Sequence, residues 1–279
     1  EFGARRVVDT SLSEEGIVGT SVGLALAGLN PVAEIQFRKY ADAATEQLVN
    51  CGSIRWRTNG RFVAPVIVRM PVGVSRKVGD PWHSVSGESI WAHHIGWHIV
   101  MPSTTNDAVG LLRTAFRSGN PVMFLEHRAL LDAEFARGVY PGDEHQLPFG
   151  QANLVREGAK ATIVSWGLML ERSLAAINET SADVELIDLR TIQPWDSETV
   201  IKSVNKTGRL LIVHEDSISA GFGAEIAAVV ANRALFSLDA PIERLAVNDL
   251  PIPYNPVLTN EVVPNVERIA ARILELLAA

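Results

Sequence analysis

Residues 161–214 read ATIVSWGLMLERSLAAINETSADVELIDLRTIQPWDSETVIKSVNKTGRLLIVH. Three short apolar runs, at 161–165, 184–189 and 209–214, alternate with helical patterns at 169–178 and 197–206. Strands of this kind are too short and too uniformly apolar for a half-exposed sheet, so the alternation predicts a parallel sheet covered on both faces. Toward the C-terminus it continues as a helix at 223–235, a strand at 242–247 and an amphipathic helix at 263–277. In that last helix Val266, Ile269, Ala270, Ile273, Leu274 and Leu277 form one apolar stripe. Toward the N-terminus, strands are predicted at 31–37, 64–70, 99–101 and 121–126, with helices at 41–56 and 105–118. Between 133 and 150 the pattern lapses into polar residues, Gly and Pro, the mark of a linker. The expected fold is therefore α/β, two doubly wound domains at 1–132 and 151–279. Ligands of such sheets lie beyond the carboxyl ends of the strands.

Composition narrows the function classes. The 279 residues are 47% hydrophobic, enough for two large cores. The longest uncharged runs, 16–33 and 89–106, stop short of the ~20 consecutive apolar residues of a membrane span. The longest apolar stretch, 17–29, is broken by Gly19, Gly23 and Gly28. A net charge of -7 argues against nucleic acid as a main partner. The single cysteine, Cys51, excludes an internal disulfide, suits a reducing compartment and reads as a small core residue. The opening residues show neither a secretory nor a transit pattern.

The common nucleotide and hydrolase signatures are missing: no phosphate loop ending in Gly-Lys-Ser/Thr, and no Gly-x-Ser-x-Gly elbow. Gly221-Phe222-Gly223 lacks the third glycine of a dinucleotide fingerprint and reads as tight strand-to-helix packing. His94 and His98 are four apart, but Gly96 intervenes and HIVMP reads as a strand, so helical metal-ligand geometry is not expected. His83 follows 73–82, a loop carrying glycines, Arg76-Lys77 and Pro81, between a buried strand and a helix, a place where an imidazole can transfer protons. His127, directly after a strand, is a weaker candidate.

Residues 9–37, DTSLSEEGIVGTSVGLALAGLNPVAEIQF, hold the candidate acid. Ser11 and Glu14 have capping-box spacing, which starts a helix at Ser11. From Gly16 to Leu29 that helix is small and apolar on every side, so it is expected to be packed all round. Glu14 then sits at the mouth of a buried helix, where exclusion of water favours a held proton; simple helix capping explains it equally well.

DTSLSEEGIVG, EIQFRKY, His83-Ser84, NPVMFLEHRAL, VSWG, VELIDLRTIQPWD, NKTGRLLIVHED, GFGAEIAA and DLPIPY occur in that order across both domains. In this the chain resembles the beta subunit of the thiamine-diphosphate-dependent 2-oxoacid dehydrogenases. The resemblance implies a transketolase-like pyrimidine-binding domain followed by a transketolase C-terminal-like domain. It implies that this chain holds the aminopyrimidine end of thiamine diphosphate, while a partner alpha subunit holds the diphosphate and its Mg²⁺. Glu14 matches the family's glutamate, whose carboxyl group hydrogen-bonds a ring nitrogen of the pyrimidine and promotes deprotonation of the thiazolium carbon. Tyr40 matches the aromatic residue stacked on that ring, and Phe37 shares its surroundings. His83 matches the loop histidine that assists acyl transfer to the lipoyl arm; Arg76, Lys77, Asp80 and Trp82 stand where the family has smaller residues.

The implied reaction is oxidative decarboxylation of a 2-oxoacid with reductive acylation of lipoamide. The implied partners are the alpha subunit, a second beta copy, and the dihydrolipoyl acyltransferase core with its lipoyl domain. The expected compartment is the cytoplasm of a bacterium or archaeon, or the mitochondrial matrix. Transketolase or deoxyxylulose-phosphate synthase, and a non-catalytic scaffold subunit, are the alternative readings. Family members begin with a further helix and strand, so the chain is expected to be one piece of a longer polypeptide. The 2-oxoacid itself is not legible in the residues.

Overall fold

The computed structural model describes residues 2–279. The first sheet gathers β1 (Val32–Glu34), β2 (Ile67–Val72), β3 (His98–Val100) and β4 (Val122–His127), which run parallel. Around them lie α1 (Glu14–Leu26), α2 (Thr45–Arg57), α3 (Glu88–Ala92) and α4 (Thr105–Ser118). A 3-10 turn, Arg38–Ala44, joins β1 to α2. The second sheet holds β5 (Asn153–Arg156), β6 (Thr162–Ser165), β7 (Glu185–Asp188), β9 (Leu210–Ser217) and β10 (Glu243–Val247). Its helices are α5 (Leu168–Thr180), α6 (Ser197–Thr207), α7 (Phe222–Arg233), α8 (Pro256–Val262) and α9 (Val266–Ala278). The remaining strand, β8 (Thr191–Gln193), follows β7 in the chain but pairs antiparallel with β3, as the edge strand of the first sheet.

The strand orders are β1-β2-β4-β3-β8 and β10-β9-β6-β7-β5. Both sheets end in an antiparallel edge, where the sequence predicted parallel strands throughout. β5, β8 and α8 escaped the sequence reading for one reason. Each is short, and β5 and β8 mix apolar with polar residues at the sheet rim, which leaves no sustained period. The apolar interior runs without a break from Ile35, Leu48 and Met70 in the first domain to Val164, Ile187 and Ile212 in the second. Cys51 is buried there, and burial pushes its thiol up to about 12, as suits an inert core residue. Among the described residues no helix is long and apolar enough to cross a membrane.

Two expectations about α1 are corrected. Its N-cap is Ser13, whose Oγ accepts the Gly16 N–H at 3.3 Å, so Glu14 is the first helical residue and not the third residue of a capping box. Nor is the helix enclosed: only Val18, Ser21 and Ala25 are fully buried, while Gly23, Leu24, Leu26 and Leu29 face outward. One chain offers a surface to one side of this helix only, so small apolar residues alone did not guarantee burial.

Candidate active site

β2 and β4 end against the second domain, where Val74 and His127 meet Glu215, and Phe37, Tyr40 and His83 come together at the carboxyl ends of β1 and β2. β1 runs through Ile35 into Phe37, whose extended backbone starts the 3-10 turn carrying Tyr40; α1, with Glu14 at its head, packs on this turn. β2 runs into the loop that carries His83. The loop folds back so that His83 Nε2 lies 2.7 Å from the Tyr40 hydroxyl. The Phe37 and His83 rings are 4.4 Å apart, and the Arg128 guanidinium lies over the Phe37 ring at 5.0 Å. Glu14, Phe37, Tyr40 and His83 are all half-buried, so each keeps an open side.

Sequence reasoning missed the residue that orients His83. Asp80 Oδ2 accepts the Nδ1–H of His83 at 2.7 Å, and its Oδ1 accepts the backbone N–H groups of Trp82 and His83 at 2.7 and 2.9 Å. A carboxylate can only accept, so Nδ1 carries the proton, and in the neutral ring Nε2 accepts the Tyr40 hydroxyl. Partial burial works to raise the Asp80 pKa, but the two N–H donors and the imidazole outweigh it and hold the carboxyl below its ordinary value. The Asp-x-x-His spacing, an aspartate that can turn back on its own backbone, was the available signal. The result is a hydrogen-bonded row, Asp80–His83–Tyr40, able to hold an imidazole in one tautomer and pass a proton at Nε2.

His127 lies deeper. It is buried, with Nε2 at 2.8 Å from Glu215 Oε2, and therefore faces the second domain and not the open side of the site. His98 lies in β3 against Phe149, and burial lowers its pKa, with Arg55 adding to the effect. Gly221 and Gly223 are packing glycines, as read: a Cβ on either would strike the His214 ring, at 2.7 and 2.6 Å.

A second polar group links the domains just behind the loop. Glu88 is fully buried; its Oε1 accepts the Trp166 Nε1–H at 2.8 Å and its Oε2 the Ser86 hydroxyl at 2.6 Å. Burial, reinforced by the nearby charge of Asp216, pushes its pKa up to about 8. His214, stacked on Trp166 at 5.4 Å, is pushed down to about 4, chiefly by burial.

Known proteins place this architecture. The transketolase pyrimidine-binding domain matches residues 1–133, and the transketolase C-terminal domain matches residues 150–269. A solved split-gene transketolase, an inactive beta4 tetramer, superposes with a TM-score of 0.77 over 97% of this chain and 83% of its own, at 19% identity, a likeness of fold. The class is thus a two-domain, transketolase-type α/β protein. The 2-oxoisovalerate dehydrogenase subunit beta of Bacillus subtilis is 38% identical over 281 residues, 99% of this chain and 85% of its own. The subunit beta of the Pseudomonas aeruginosa 2-oxoisovalerate dehydrogenase is 39% identical, covering 91% and 77%. The pyruvate dehydrogenase E1 component subunit beta of Rickettsia conorii is 39% identical, covering 95% and 81%. The chain belongs to the family of 2-oxoacid dehydrogenase beta subunits.

Proposed function

We propose that the chain supplies half of a thiamine-diphosphate site, completed by an alpha subunit, in which a 2-oxoacid is decarboxylated and its acyl group passed to a lipoyl arm. The observation that carries this reading is the Asp80–His83–Tyr40 row standing beside Phe37 at the carboxyl ends of β1 and β2. The fit to one end of the cofactor is specific. A half-buried carboxyl group at the head of α1 and an aromatic ledge suit a flat, nitrogen-bearing ring. Both oxygens of Asp80 are already taken by N–H donors, so this loop does not offer them to a metal. The diphosphate and its Mg²⁺ therefore belong to the alpha subunit in this reading.

When bound, thiamine diphosphate supplies the electron sink for decarboxylation. Glu14 would hydrogen-bond a pyrimidine nitrogen of the bound cofactor, and Tyr40 and Phe37 would hold its ring. His83 gives a proton from Nε2, through or past the Tyr40 hydroxyl, to the lipoyl sulfur released as the S–S bond opens. Asp80 stabilises the imidazolium that carries it. The second beta copy and the acyltransferase core complete the assembly.

The test is Glu14→Gln in the chain reconstituted with its alpha subunit, assayed with 2-oxoisovalerate, pyruvate and 2-oxoglutarate. Decarboxylation is expected to fall by roughly 10²-fold or more, with the assembly intact by sedimentation. Full turnover in the variant would leave a scaffold role only. The preferred acid among the three identifies the substrate.

A further inference from the structure

The second domain, which shows no chemistry of its own in the sequence, grips the His83 loop at both ends. β9 finishes with two adjacent acids, Glu215 and Asp216, both buried. Glu215 Oε1 accepts the Val74 N–H at 2.6 Å, one residue after the loop leaves β2, while its Oε2 meets His127 Nε2 at 2.8 Å. Asp216 Oδ2 accepts the Ser89 hydroxyl at 2.5 Å and its N–H at 3.3 Å, where the loop enters α3. Gly73, between β2 and Val74, has φ +75°, and a Cβ there would meet the His127 ring and, at 2.8 Å, Glu215 Oε1. Midway, Gly79 lies against Pro253 and Thr259 of the second domain, with Ile252 2.8 Å from where its Cβ would be. Burying two carboxylates is unfavourable, and apolar side chains would pack a junction as well. What carboxylates add is direction: Glu215 fixes a donor at the start of the loop, and Asp216 one in the first turn of α3 that follows it.

We infer that Glu215 and Asp216 are positioning residues for His83, one strand end of the second domain holding both ends of the loop that presents the imidazole to Tyr40. This rests on the reading of His83 as the proton donor in acyl transfer. With Val74 and Ser89 fixed, the span between them is closed at its centre by the Asp80 turn, and the Nε2 of His83 has one place to point. An ångström of drift at Nε2 would lengthen its hydrogen bond beyond use.

Ser89→Ala and Asp216→Ala, singly and together, test this in the reconstituted holoenzyme. Acylation of the lipoyl domain is expected to fall about 10-fold relative to decarboxylation measured with an artificial electron acceptor. The loss is expected in kcat, with KM for the lipoyl domain within about twofold. The double variant is expected to match Asp216→Ala, since the hydroxyl bond lost in Ser89→Ala is one that Asp216→Ala already removes. Asp216→Asn, which keeps an acceptor oxygen, is expected to restore most of the acylation. In ¹⁵N-histidine-labelled protein, the His83 ring shifts are expected to move toward the tautomer average in the alanine variants only. Equal loss of both half-reactions, additive losses, or unchanged acylation would overturn the inference. His83→Ala is the control: if it leaves acylation intact the functional reading has failed, and the ring shifts alone then decide whether the two acids position the imidazole.

Discussion

At the scale of single residues, the site depends on one tautomer. Asp80 accepts from His83 Nδ1 and from two backbone N–H groups, so its carboxylate is anchored before it orients the ring. Asp80→Asn keeps the shape but can present an amide N–H₂ to Nδ1, which favours the wrong tautomer and removes the charge that stabilises an imidazolium. The expected outcome is a loss of about 10²-fold in lipoyl acylation, within the range of general acid–base effects. A flattened pH–rate profile should accompany it, measured by single-turnover acylation. Wild-type activity across the pH range would show that Asp80 only shapes the loop. Glu14, Phe37, Tyr40 and His83 were candidates in the sequence through the family motifs that they match, and the structure brings Phe37, Tyr40 and His83 into contact. Asp80 stood in the sequence as a departure from the family pattern, and its Asp-x-x-His spacing gained meaning only once the turn closed.

Among the elements, α1 shows most clearly how local pattern and actual packing part company. Both Ser11 and Ser13 are plausible caps by residue type, and the Ser-x-x-Glu spacing favours Ser11. The chain uses Ser13, whose Oγ reaches the Gly16 N–H. Ser13→Ala is therefore expected to cost about 1 kcal/mol, and Ser11→Ala less than about 0.5 kcal/mol, by urea unfolding of the isolated chain. The reverse order would restore the Ser11 cap. The outward Leu24, Leu26 and Leu29 remain from the same misreading. Periodicity reports that a helix tolerates contact all round, not that contact is made. α4 had no such ambiguity: it spans Thr105–Ser118 as predicted, with a Thr104–Asp107 capping box at its start.

For the whole molecule, buried acids set the pH response. Glu88 is pushed up to about 8 by burial and Asp216, and Asp188 up to about 7 by burial and then the charge of Asp107. Each holds a proton in the folded chain that the unfolded chain has already released. Their stabilisation is thus present at low pH and lost as pH rises through the folded values. His214, pushed down to about 4 from an ordinary 6.5, acts in the opposite sense: stability is lost as pH falls through that window. Above pH 6.5 only the acids act, so the melting temperature is expected to fall between pH 6.5 and about 8. Glu88→Gln, which keeps an acceptor for Trp166, is expected to lessen that slope. A melting temperature that rises over this window in the parent chain would contradict the burial argument.

The alternation of strands and helices was written in local patterns of two, three and four residues, and the candidate site residues came from the family motifs that they match. Folding alone revealed the rest. β8 leaves its own domain to edge the other sheet. Val74 meets Glu215 across 141 positions of chain and Ser89 meets Asp216 across 127. Periodicity records which face of an element is apolar, because that face must leave water wherever it goes. It holds no record of which distant carboxylate a loop will find, because that is settled by how two packed sheets bring their strand ends together.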